Sequence, residues 1–495
     1  MPFIPGIAAS AAISIRRSSP APAPEKTLRI ERMFSLNASL PTPLVMQIVG
    51  HFKSLIDSQK LRAGTKLPSI RALAETHGVS VSTVIDAYDR LVAEGYLVPR
   101  QNTGFYVRSF QPRQVPGQAG GAHEVRFDSL WMLHKSWENG AAELNPGCGW
   151  LPEKWMDDDS LRRNLRAVSS QAGDLLTGYG APQGYLPLRR KIADWLHEHE
   201  IYAPPEQILL TTGASHALGL LAQYLVKPGE TVFVDEPGYS ILLFHLKRIG
   251  AKVVGVPWTP QGPDLSALEA LLQQHRPRAL FTNPRLQNPT GASCSAATAH
   301  QILSLAERHD FVVVEDDIYA ELDPSPRRAL ASMDQLSRVV YVNSFSKTIC
   351  ASLRVGYIAG HPDLIEDLTQ FKMMTGLTSC ELTERATYQI LTEGRHRKHL
   401  KALRERLSDA QRTTRQGLAE AGLELFGPHA HEGMFVWARH PRHDDAALLS
   451  HEAAGAGIFL APGHLFLPDN RPSPWLRFNV AYCDDARLYD FLARA

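Results

Sequence analysis

The sequence predicts an α/β protein in two parts: a small helical head and a large body with a mostly parallel sheet. Residues 42–108 carry three helical patterns followed by two short β-like runs. From residue 126 onward, short apolar runs alternate with helical patterns, which is the order of a sheet covered by helices. Between them, SFQPRQVPGQAGGAHE is rich in Gly, Pro and Gln and lacks periodicity, so residues 109–125 are expected to form a flexible linker.

Length and composition favour several domains and exclude some classes of protein. The chain has 495 residues, more than one ordinary domain, and 44% of them are hydrophobic. Lys and Arg number 52 against 51 Asp and Glu, so the net charge of +1 gives no general indication of a nucleic-acid or membrane partner. The five cysteines are scattered, without metal-ligand spacing, which predicts a cytoplasmic protein with no metal site. No apolar run approaches the roughly 20 residues of a bilayer span.

The first 35 residues are rich in Ala, Ser and Pro and have no acid before Glu25. A targeting peptide is one interpretation, but the Arg pair follows the apolar stretch instead of preceding it. We therefore expect residues 1–35 to be a disordered tail. The choice between Met1 and Met33 as the start of translation stays open.

Three helices and a hairpin are predicted for the head, residues 36–108. Apolar residues recur at helical spacing in PLVMQIVGHFKSLIDSQ, a second helix ends at Gly78, and a third begins after the N-cap candidate Ser80 and ends at Gly95. YLVPRQNTGFYVR then gives two β-like runs around a polar turn, and this order is that of a winged helix-turn-helix. The head is mildly basic, with eight Lys or Arg against five Asp or Glu from residue 33 to residue 108.

Five apolar runs predict the strands of the body, residues 126–495. They read QILLTTG, TVFVDEP, ALFTNP, FVVVEDD and VVYVNS, and helical stretches such as DLSALEALLQQH and AATAHQILSLAERH separate them. Ligands of parallel sheets bind beyond the carboxyl ends of the strands. The polar residues that follow these runs therefore predict one shared crevice.

Chemically useful residues follow four of these strands. Gly213 in TTGASHAL turns a strand into a helix, where free N–H groups can hold a phosphate. Tyr239 in DEPGY is suited to cover a planar ring, and Asn288 in NPTG is a potential hydrogen-bonding group. VVVEDDIYAEL leads a buried strand into acids that include Asp316, three residues before Tyr319. Taken alone, the Gly213 segment is better explained as an ordinary turn, and the acids could be metal ligands or N-caps.

Together with SFSKT and LRVGY, these motifs resemble the fold-type I aminotransferases that depend on pyridoxal 5′-phosphate (PLP), over most of residues 145–485. The resemblance implies that fold for the body, PLP as its cofactor, and Lys347 as the residue that forms the internal aldimine. It also implies that Asp316 pairs with the pyridinium nitrogen, and that Tyr319 and Asn288 hydrogen-bond the 3′-oxygen.

The resemblance assigns the remaining cofactor contacts as well. Tyr239 is implied to stack on the ring. The phosphate is implied to be held by the N–H groups of Gly213 and Ala214 with Ser344, Ser346 and Arg354. This explains why a lysine directly follows two closely spaced serines and lies seven residues before an arginine.

Two further motifs match the same family. Tyr179, the first tyrosine of YGAPQGYLPLRRKIADWL, is implied to reach the phosphate of a neighbouring subunit, and therefore a homodimer. Arg477 in WLRFNV is implied to bind the carboxylate of the substrate, although a surface arginine between strand residues is the plainer interpretation.

The head resembles the GntR family of bacterial winged helix-turn-helix regulators, over KLPSIRALAETHGVSVSTVIDAYDRLVAEGYLVPRQNTGFYV. The resemblance implies a double-stranded DNA operator as partner, although a three-helix protein-interaction module remains an alternative. Many relatives have an arginine where Val81 lies, so the base preference should differ. The implied DNA contacts are Lys66, Arg71, Ser80, Ser82, Thr83, Arg100, Gln101, Asn102 and Thr103.

A GntR-type head on an aminotransferase-like body resembles the MocR subfamily of transcription regulators. This implies a head-to-tail homodimer whose body senses an amino acid, an amine or PLP itself through aldimine chemistry on Lys347. A working aminotransferase with a DNA-binding head is the alternative, because every cofactor residue sought is present. The effector, the operator and the direction of regulation stay open.

Overall fold

The computed structural model describes residues 36–37, 39–40, 42–58, 60–100, 103–108, 143–171, 177–325, 327–427 and 432–495. The chain divides into two compact units, Met1–Ala122 and His123–Ala495, which contain the head and the body. The expected tail and linker, residues 1–35 and 109–125, lie outside the described residues. In the described part of the chain, no helix is both long and apolar enough to cross a membrane.

The predicted three helices and hairpin of the head are confirmed. They are α1 (Leu44–Asp57), α2 (Ile70–His77), α3 (Val81–Ala93), β1 (Leu97–Arg100) and β2 (Gly104–Val107), with the two strands antiparallel. The Ser80 hydroxyl caps α3 by accepting from the Thr83 N–H at 3.1 Å, as the sequence predicted. Gly78 ends α2 in the left-handed conformation, φ 62°, which lets the chain turn directly into α3.

The body begins with a long series of alternating helices and strands. Its elements up to the large sheet's last strand are α4 (Asp158–Gln171), α5 (Leu186–Glu198), β3 (Ile208–Thr211), α6 (Ala214–Leu225), β4 (Thr231–Glu236), α7 (Ser240–Arg248), β5 (Lys252–Thr259), β6 (Gly262–Pro263), α8 (Leu265–Gln274), β7 (Ala279–Thr282), α9 (Ala296–His309), β8 (Val312–Asp316), α10 (Leu330–Asp334), β9 (Val339–Ser344) and β10 (Gly356–Ala359).

These strands form one sheet in the order β3-β10-β9-β8-β7-β4-β5-β6. Neighbours β9, β8, β7, β4 and β5 run parallel, whereas β10 is antiparallel to both β3 and β9. Helices α5, α8, α9 and α10 belong to one buried apolar cluster with the sheet, and α6, α7 and α11 belong to another. Both faces of the sheet are therefore covered, which explains why the predicted strands are continuous apolar runs.

The rest of the body contains a second, smaller sheet that the sequence did not predict. Its elements are α11 (Pro362–Gly376), α12 (Glu381–Thr392), α13 (Arg395–Glu420), β11 (Glu424–Leu425), β12 (Phe435–Arg439), α14 (Ala446–Gly455), β13 (Ala461–Pro462), β14 (Trp475–Asn479) and α15 (Ala486–Arg494). The small sheet is antiparallel, in the order β11-β12-β14-β13. Its apolar cluster includes Tyr319, which follows β8 of the large sheet, so the two sheets share packing next to the carboxyl end of β8.

Candidate cofactor site and DNA-binding surface

Lys347 lies just beyond the carboxyl end of β9 and is the predicted attachment point of the cofactor. Its side chain is half-buried, and Nζ donates a hydrogen bond to the carbonyl oxygen of Gly149 at 2.7 Å. Burial, followed by the nearby charge of Arg477, lowers the pKa of Lys347 to about 8. An amine with that pKa is partly neutral near physiological pH and can act as a nucleophile.

Asp316 ends β8 and points its carboxylate into the same site. The side chain is buried, and among the described residues its Oδ1 has no hydrogen-bond partner. Burial, followed by repulsion from Asp317, raises the pKa of Asp316 to about 7. A buried acceptor without a donor is costly. A protonated ring nitrogen at Oδ1 would satisfy it and lower its pKa again.

The two acids that flank Asp316 are occupied elsewhere. Glu315 accepts hydrogen bonds from the backbone N–H groups of Leu330 and Ala331, both at 2.8 Å, at the start of α10. Asp317 pairs with the guanidinium of Arg285 at 3.0 Å. Of the three consecutive acids, only Asp316 is therefore available to a ligand on the side of Lys347.

The turn between β3 and α6 has the shape of a phosphate cradle. Gly213 has φ 82°, and a Cβ on it would lie 2.6 Å from Nη2 of Arg354. Arg354 Nη2 donates to the carbonyl oxygen of Thr212 at 3.1 Å, so the guanidinium lies beside the first turn of α6. Helix N-termini leave N–H groups free for an anion, and Ala214 begins this helix.

Two serines complete the same end of the site. The Ser344 hydroxyl donates to the Ser346 hydroxyl at 2.9 Å and accepts from the Ser346 N–H at 3.1 Å. Ser344 closes β9 and is paired in register with Gly356 of β10, which is paired in turn with Thr211 of β3. The sheet register therefore brings the serines, Arg354 and the Gly213 turn together.

The aromatic and amide groups predicted for the ring lie at the same strand ends. The Tyr239 hydroxyl is 3.0 Å from the Ser215 hydroxyl in the first turn of α6. Tyr319 is buried, and its hydroxyl interacts with the side chain of Asn288. Asn288 also accepts a hydrogen bond from Nη1 of Arg477 at 3.0 Å, which joins the cofactor side of the site to the substrate side.

Arg477 is a buried guanidinium on β14, 3% exposed, and not the surface arginine of the plainer interpretation. Nη2 donates to the Gly147 carbonyl oxygen at 2.7 Å, and the rings of Phe435 and Phe466 lie 4.7 and 4.9 Å from the guanidinium carbon. No carboxylate of the described residues comes within ion-pairing distance of it, and its Nε lacks a partner there. A buried charge is expensive unless it is paired. A ligand carboxylate would supply the missing partner.

Tyr179 is the one predicted cofactor residue that the structure does not bring into this group. Its side chain is 85% exposed, and no hydrogen bond within the described chain joins it to the residues above. The neighbouring Gly180 lies against the side chain of Glu381, where α12 begins.

The predicted DNA contacts that the structure describes lie on the surface of the head. Thr83 is half-buried, and the exposed ones are Lys66, Arg71, Ser80, Ser82, Arg100 and Thr103. The guanidinium of Arg100 lies over the ring of Tyr106 at 4.4 Å, which fixes its position on the hairpin. Gln101 and Asn102 lie outside the described residues.

Sequence reasoning missed four residues that shape the cofactor site. Ser215 holds the Tyr239 hydroxyl, and the Gly149 carbonyl accepts from Lys347. Asn283 donates to the Asp316 backbone oxygen at 2.6 Å and accepts from the Asn288 N–H at 2.8 Å. Because Gly356 has no side chain, the Gly213 turn can lie close to β10. Only Ser215 and Asn283 carried a signal, because Asn283 directly follows β7 and Ser215 lies in the turn of helix that follows β3.

Comparison with known proteins agrees with this geometry. The model of the family "Aminotransferase class I and II" matches residues 153–494, and that of "Bacterial regulatory proteins, gntR family" matches residues 44–107. The HTH-type transcriptional regulator YisV of Bacillus subtilis is 27% identical over 460 residues, which cover 90% of this chain and 93% of YisV. The probable rhizopine catabolism regulatory protein MocR of Rhizobium meliloti is 29% identical over 445 residues, covering 87% of this chain and 88% of MocR.

The body also resembles a solved enzyme. The structure of Pyrococcus horikoshii kynurenine aminotransferase in complex with PMP superposes with a TM-score of 0.69 and 25% identity, covering 76% of this chain and 95% of the enzyme.

Fold, site and comparisons define a GntR-type transcription regulator with an aminotransferase-like body. The chain belongs to the class I and II aminotransferase family over that body, and its GntR head places it in the MocR subfamily, which confirms the sequence prediction. The cofactor of the body is PLP. The unpartnered Oδ1 of Asp316, the lowered pKa of Lys347 and the Gly213 turn fit that group.

Proposed function

We propose that the body senses a compound that carries both an amine and a carboxylate, and that its binding alters the affinity of the head for an operator. The observation that carries this proposal is Arg477. It is a buried guanidinium without an acidic partner among the described residues, and Asn288 links it to the side of the site where Lys347 and Asp316 lie. An amino acid has the two groups that such a site can bind.

The chain's own residues supply binding, orientation and proton control. PLP, when bound, supplies an aldehyde and an electron-withdrawing ring for the capture of amines. Lys347 competes with the incoming amine, and the neutral fraction of its Nζ increases as the pH rises through about 8. Asp316 orients the ring through its nitrogen, while Arg354, Ser344 and the start of α6 hold the phosphate.

We further propose a homodimer, arranged head to tail as the resemblance implies. An exposed apolar surface supports the association of two copies. It consists of Met373, Met374, Leu377 and Leu382, which are 43, 77, 54 and 39% exposed and lie between the end of α11 and the start of α12. Tyr179 belongs to the same region, because the adjacent Gly180 lies against Glu381 at the start of α12. If a second copy covered this surface, Tyr179 could reach the cofactor site of that copy.

A catalytically active aminotransferase is the second candidate function. Lys347, Asp316 and Arg477 are all present, and the solved relative is an aminotransferase bound to PMP. Retention of these residues is also what capture of an amine requires. The GntR head, which an aminotransferase does not need, favours the sensor. Sensing of PLP itself is a third form of the same regulator.

The test couples DNA affinity to ligand chemistry. Duplexes selected by the full chain from a random library are titrated by fluorescence anisotropy, with and without each member of a panel of amino acids and amines. We expect one compound to change the affinity of the wild-type protein but not that of Lys347→Ala. A response to PLP alone identifies a PLP sensor. Appearance of a keto acid, with DNA affinity unchanged by every compound, supports the aminotransferase instead.

The head is tested separately through salt. Each phosphate contact contributes about −0.9 to the slope of log K against log salt. A dimer contains two copies of Arg71. Arg71→Ala should therefore make the slope of log K against log salt less steep by about 2, without altering the absorbance of bound cofactor. A wild-type slope near zero would remove DNA from the proposal.

A further inference from the structure

The outer face of α3 differs from what a base-reading helix usually presents. The second helix of a helix-turn-helix enters the major groove with its N-terminal residues against the base edges. On the first two turns of α3, Val81 and Ile85 point outward, and the two residues are 47 and 39% exposed. Val84 and Tyr88 face the core of the head and are fully buried. Two aliphatic side chains therefore stand where base contacts are expected.

The hydroxyl groups at this end of α3 are already engaged with one another. Ser80 caps the helix through the Thr83 N–H, and its hydroxyl is 2.8 Å from that of Ser82 and 2.7 Å from that of Thr83. They can still share a hydrogen bond with DNA, but their positions are set by the cap. The cap thereby fixes the backbone that carries Val81.

Side chains that bond guanine or adenine in two places are missing from this stretch. Residues 81–89 read VSTVIDAYD, without Arg, Lys, Asn or Gln. Arg90 lies near the far end of α3, with Nη1 3.4 Å from the sulfur of Met46 on α1. Asp86 and Asp89 are exposed, and a carboxylate in the major groove repels phosphates and can accept hydrogen bonds only from the amino groups of cytosine and adenine. Apolar contact is the main form of readout left to the first two turns.

We propose that Val81 and Ile85 read the C5-methyl groups of thymines in the operator. The thymine methyl is the one apolar group that a base pair presents in the major groove. Positions i and i+4 lie on the same face of a helix, so the two side chains form one aliphatic surface on successive turns. Both are β-branched and stiff, so ordering them on DNA costs little entropy. This inference rests on the proposed binding of an operator and adds its base preference.

The test removes single methyl groups from the DNA. Duplexes selected by the full chain from a random library are resynthesised with deoxyuridine in place of each thymine in turn, which keeps every hydrogen bond and deletes one methyl group. Affinities are measured for the wild type, Val81→Ala and Ile85→Ala. Leu448→Ala, which truncates a 67% exposed leucine on α14 of the body, is the control.

We expect uracil at the contacted thymines to weaken wild-type binding by about fourfold for each methyl group lost. Val81→Ala or Ile85→Ala should weaken binding to the thymine duplex to a similar extent and should be insensitive to uracil at its own position. Leu448→Ala should behave as the wild type.

Two results overturn the inference, and they are distinguishable. If the duplexes bind tightly but uracil has no effect, or if its effect persists in both head variants, operator binding stands and methyl readout fails. If no duplex is enriched at all, operator binding itself fails, and the readout fails with it.

Discussion

Single residues in the cofactor site differ sharply in role even when they are adjacent in sequence. Glu315, Asp316 and Asp317 are three consecutive buried acids. The first caps α10, the third pairs with Arg285, and among the three only Asp316 has an oxygen with neither a hydrogen bond nor an ion pair in the described chain. Composition cannot separate the three, because each has the same chemistry. Their surroundings assign the role, through the partner that each carboxylate has.

The proton affinity of Asp316 leads to a prediction about stability and pH. Burial raises the pKa of Asp316 from 3.8 to about 7, so the folded, cofactor-free protein retains a proton that the unfolded chain releases. The contribution of this group to the free energy of unfolding therefore falls as the pH rises from about 4 to about 7. Between about pH 5 and pH 8 the wild type should lose about 3 kcal/mol of stability through this group, a loss that cofactor-free Asp316→Asn should not show.

Urea unfolding of both proteins at the two pH values measures this difference. Asp409→Asn, an exposed acid on α13, is the control and should follow the wild type. Parallel pH dependences of Asp316→Asn and the wild type would show that Asp316 is ionised in the cofactor-free site.

Lys347 is predicted to be the attachment point of the cofactor, and a second buried lysine provides an internal control. Lys372 also has its pKa lowered by burial to about 8, but its Nζ donates to the carbonyls of Pro182 and Leu210 and to the Ser379 hydroxyl, each at 2.8 Å. Its amine is therefore tied to the protein. After reduction with borohydride and digestion, the cofactor mass should lie on the peptide with Lys347.

Lys347→Ala should lose the visible absorbance of lysine-bound cofactor and keep the circular dichroism spectrum of the wild type. Cofactor mass on the Lys372 peptide, or an unchanged visible spectrum in Lys347→Ala, would contradict the assignment.

At the scale of elements, the phosphate cradle depends on how closely β10 approaches the turn between β3 and α6. A Cβ on Gly356 would lie 2.8 Å from the carbonyl carbon of Gly213 and 2.9 Å from the nitrogen of Ala214. Real Cβ atoms do not come this close to backbone, so Gly356→Ala must displace the turn. We expect the dissociation constant of PLP to rise at least about tenfold, which corresponds to about 1.4 kcal/mol.

Gly455→Ala is the matched control, because nothing lies within 4 Å of a Cβ at the end of α14. Fluorescence titration of the cofactor-free proteins measures both constants. Equal affinity in Gly356→Ala and the wild type would mean that the turn does not hold the phosphate.

The sequence predicted the elements whose pattern is local. β3, β4, β7, β8 and β9 are buried on both faces and read as continuous apolar runs, and α2 and α3 of the head have serine N-caps. β11 and β13 were missed because they have only two residues each, too few to show a pattern, and β10 was missed because it gains its place from pairing with β3, far away in the sequence. Gly149 and Gly356 were also missed, because they contribute to the site through the position of their backbone and not through a side chain.

On the scale of the whole molecule, function requires the two units to be coupled. A ligand can shift the affinity for DNA only by as much as its own affinity differs between the two states of the protein. A site shared between two copies would provide such a difference, because capture of a ligand would then act on both chains. Whether Tyr179 completes the site of a partner is therefore the decisive question about assembly.

Subunit complementation answers that question. In a homodimer of Lys347→Ala, both sites lack the lysine, and in one of Tyr179→Ala, both lack the tyrosine. A mixed dimer has one site with both defects and one with neither, provided that Tyr179 acts on the partner's site. Dimers co-expressed with two different tags and purified through both should therefore bind PLP with wild-type affinity and visible absorbance at one site of the two. If Tyr179 serves its own chain, each site keeps one defect and no native site forms. A dimer of two wild-type chains, purified through the same two tags, gives the full absorbance of bound cofactor. The half signal expected of the mixed dimer is compared with this value.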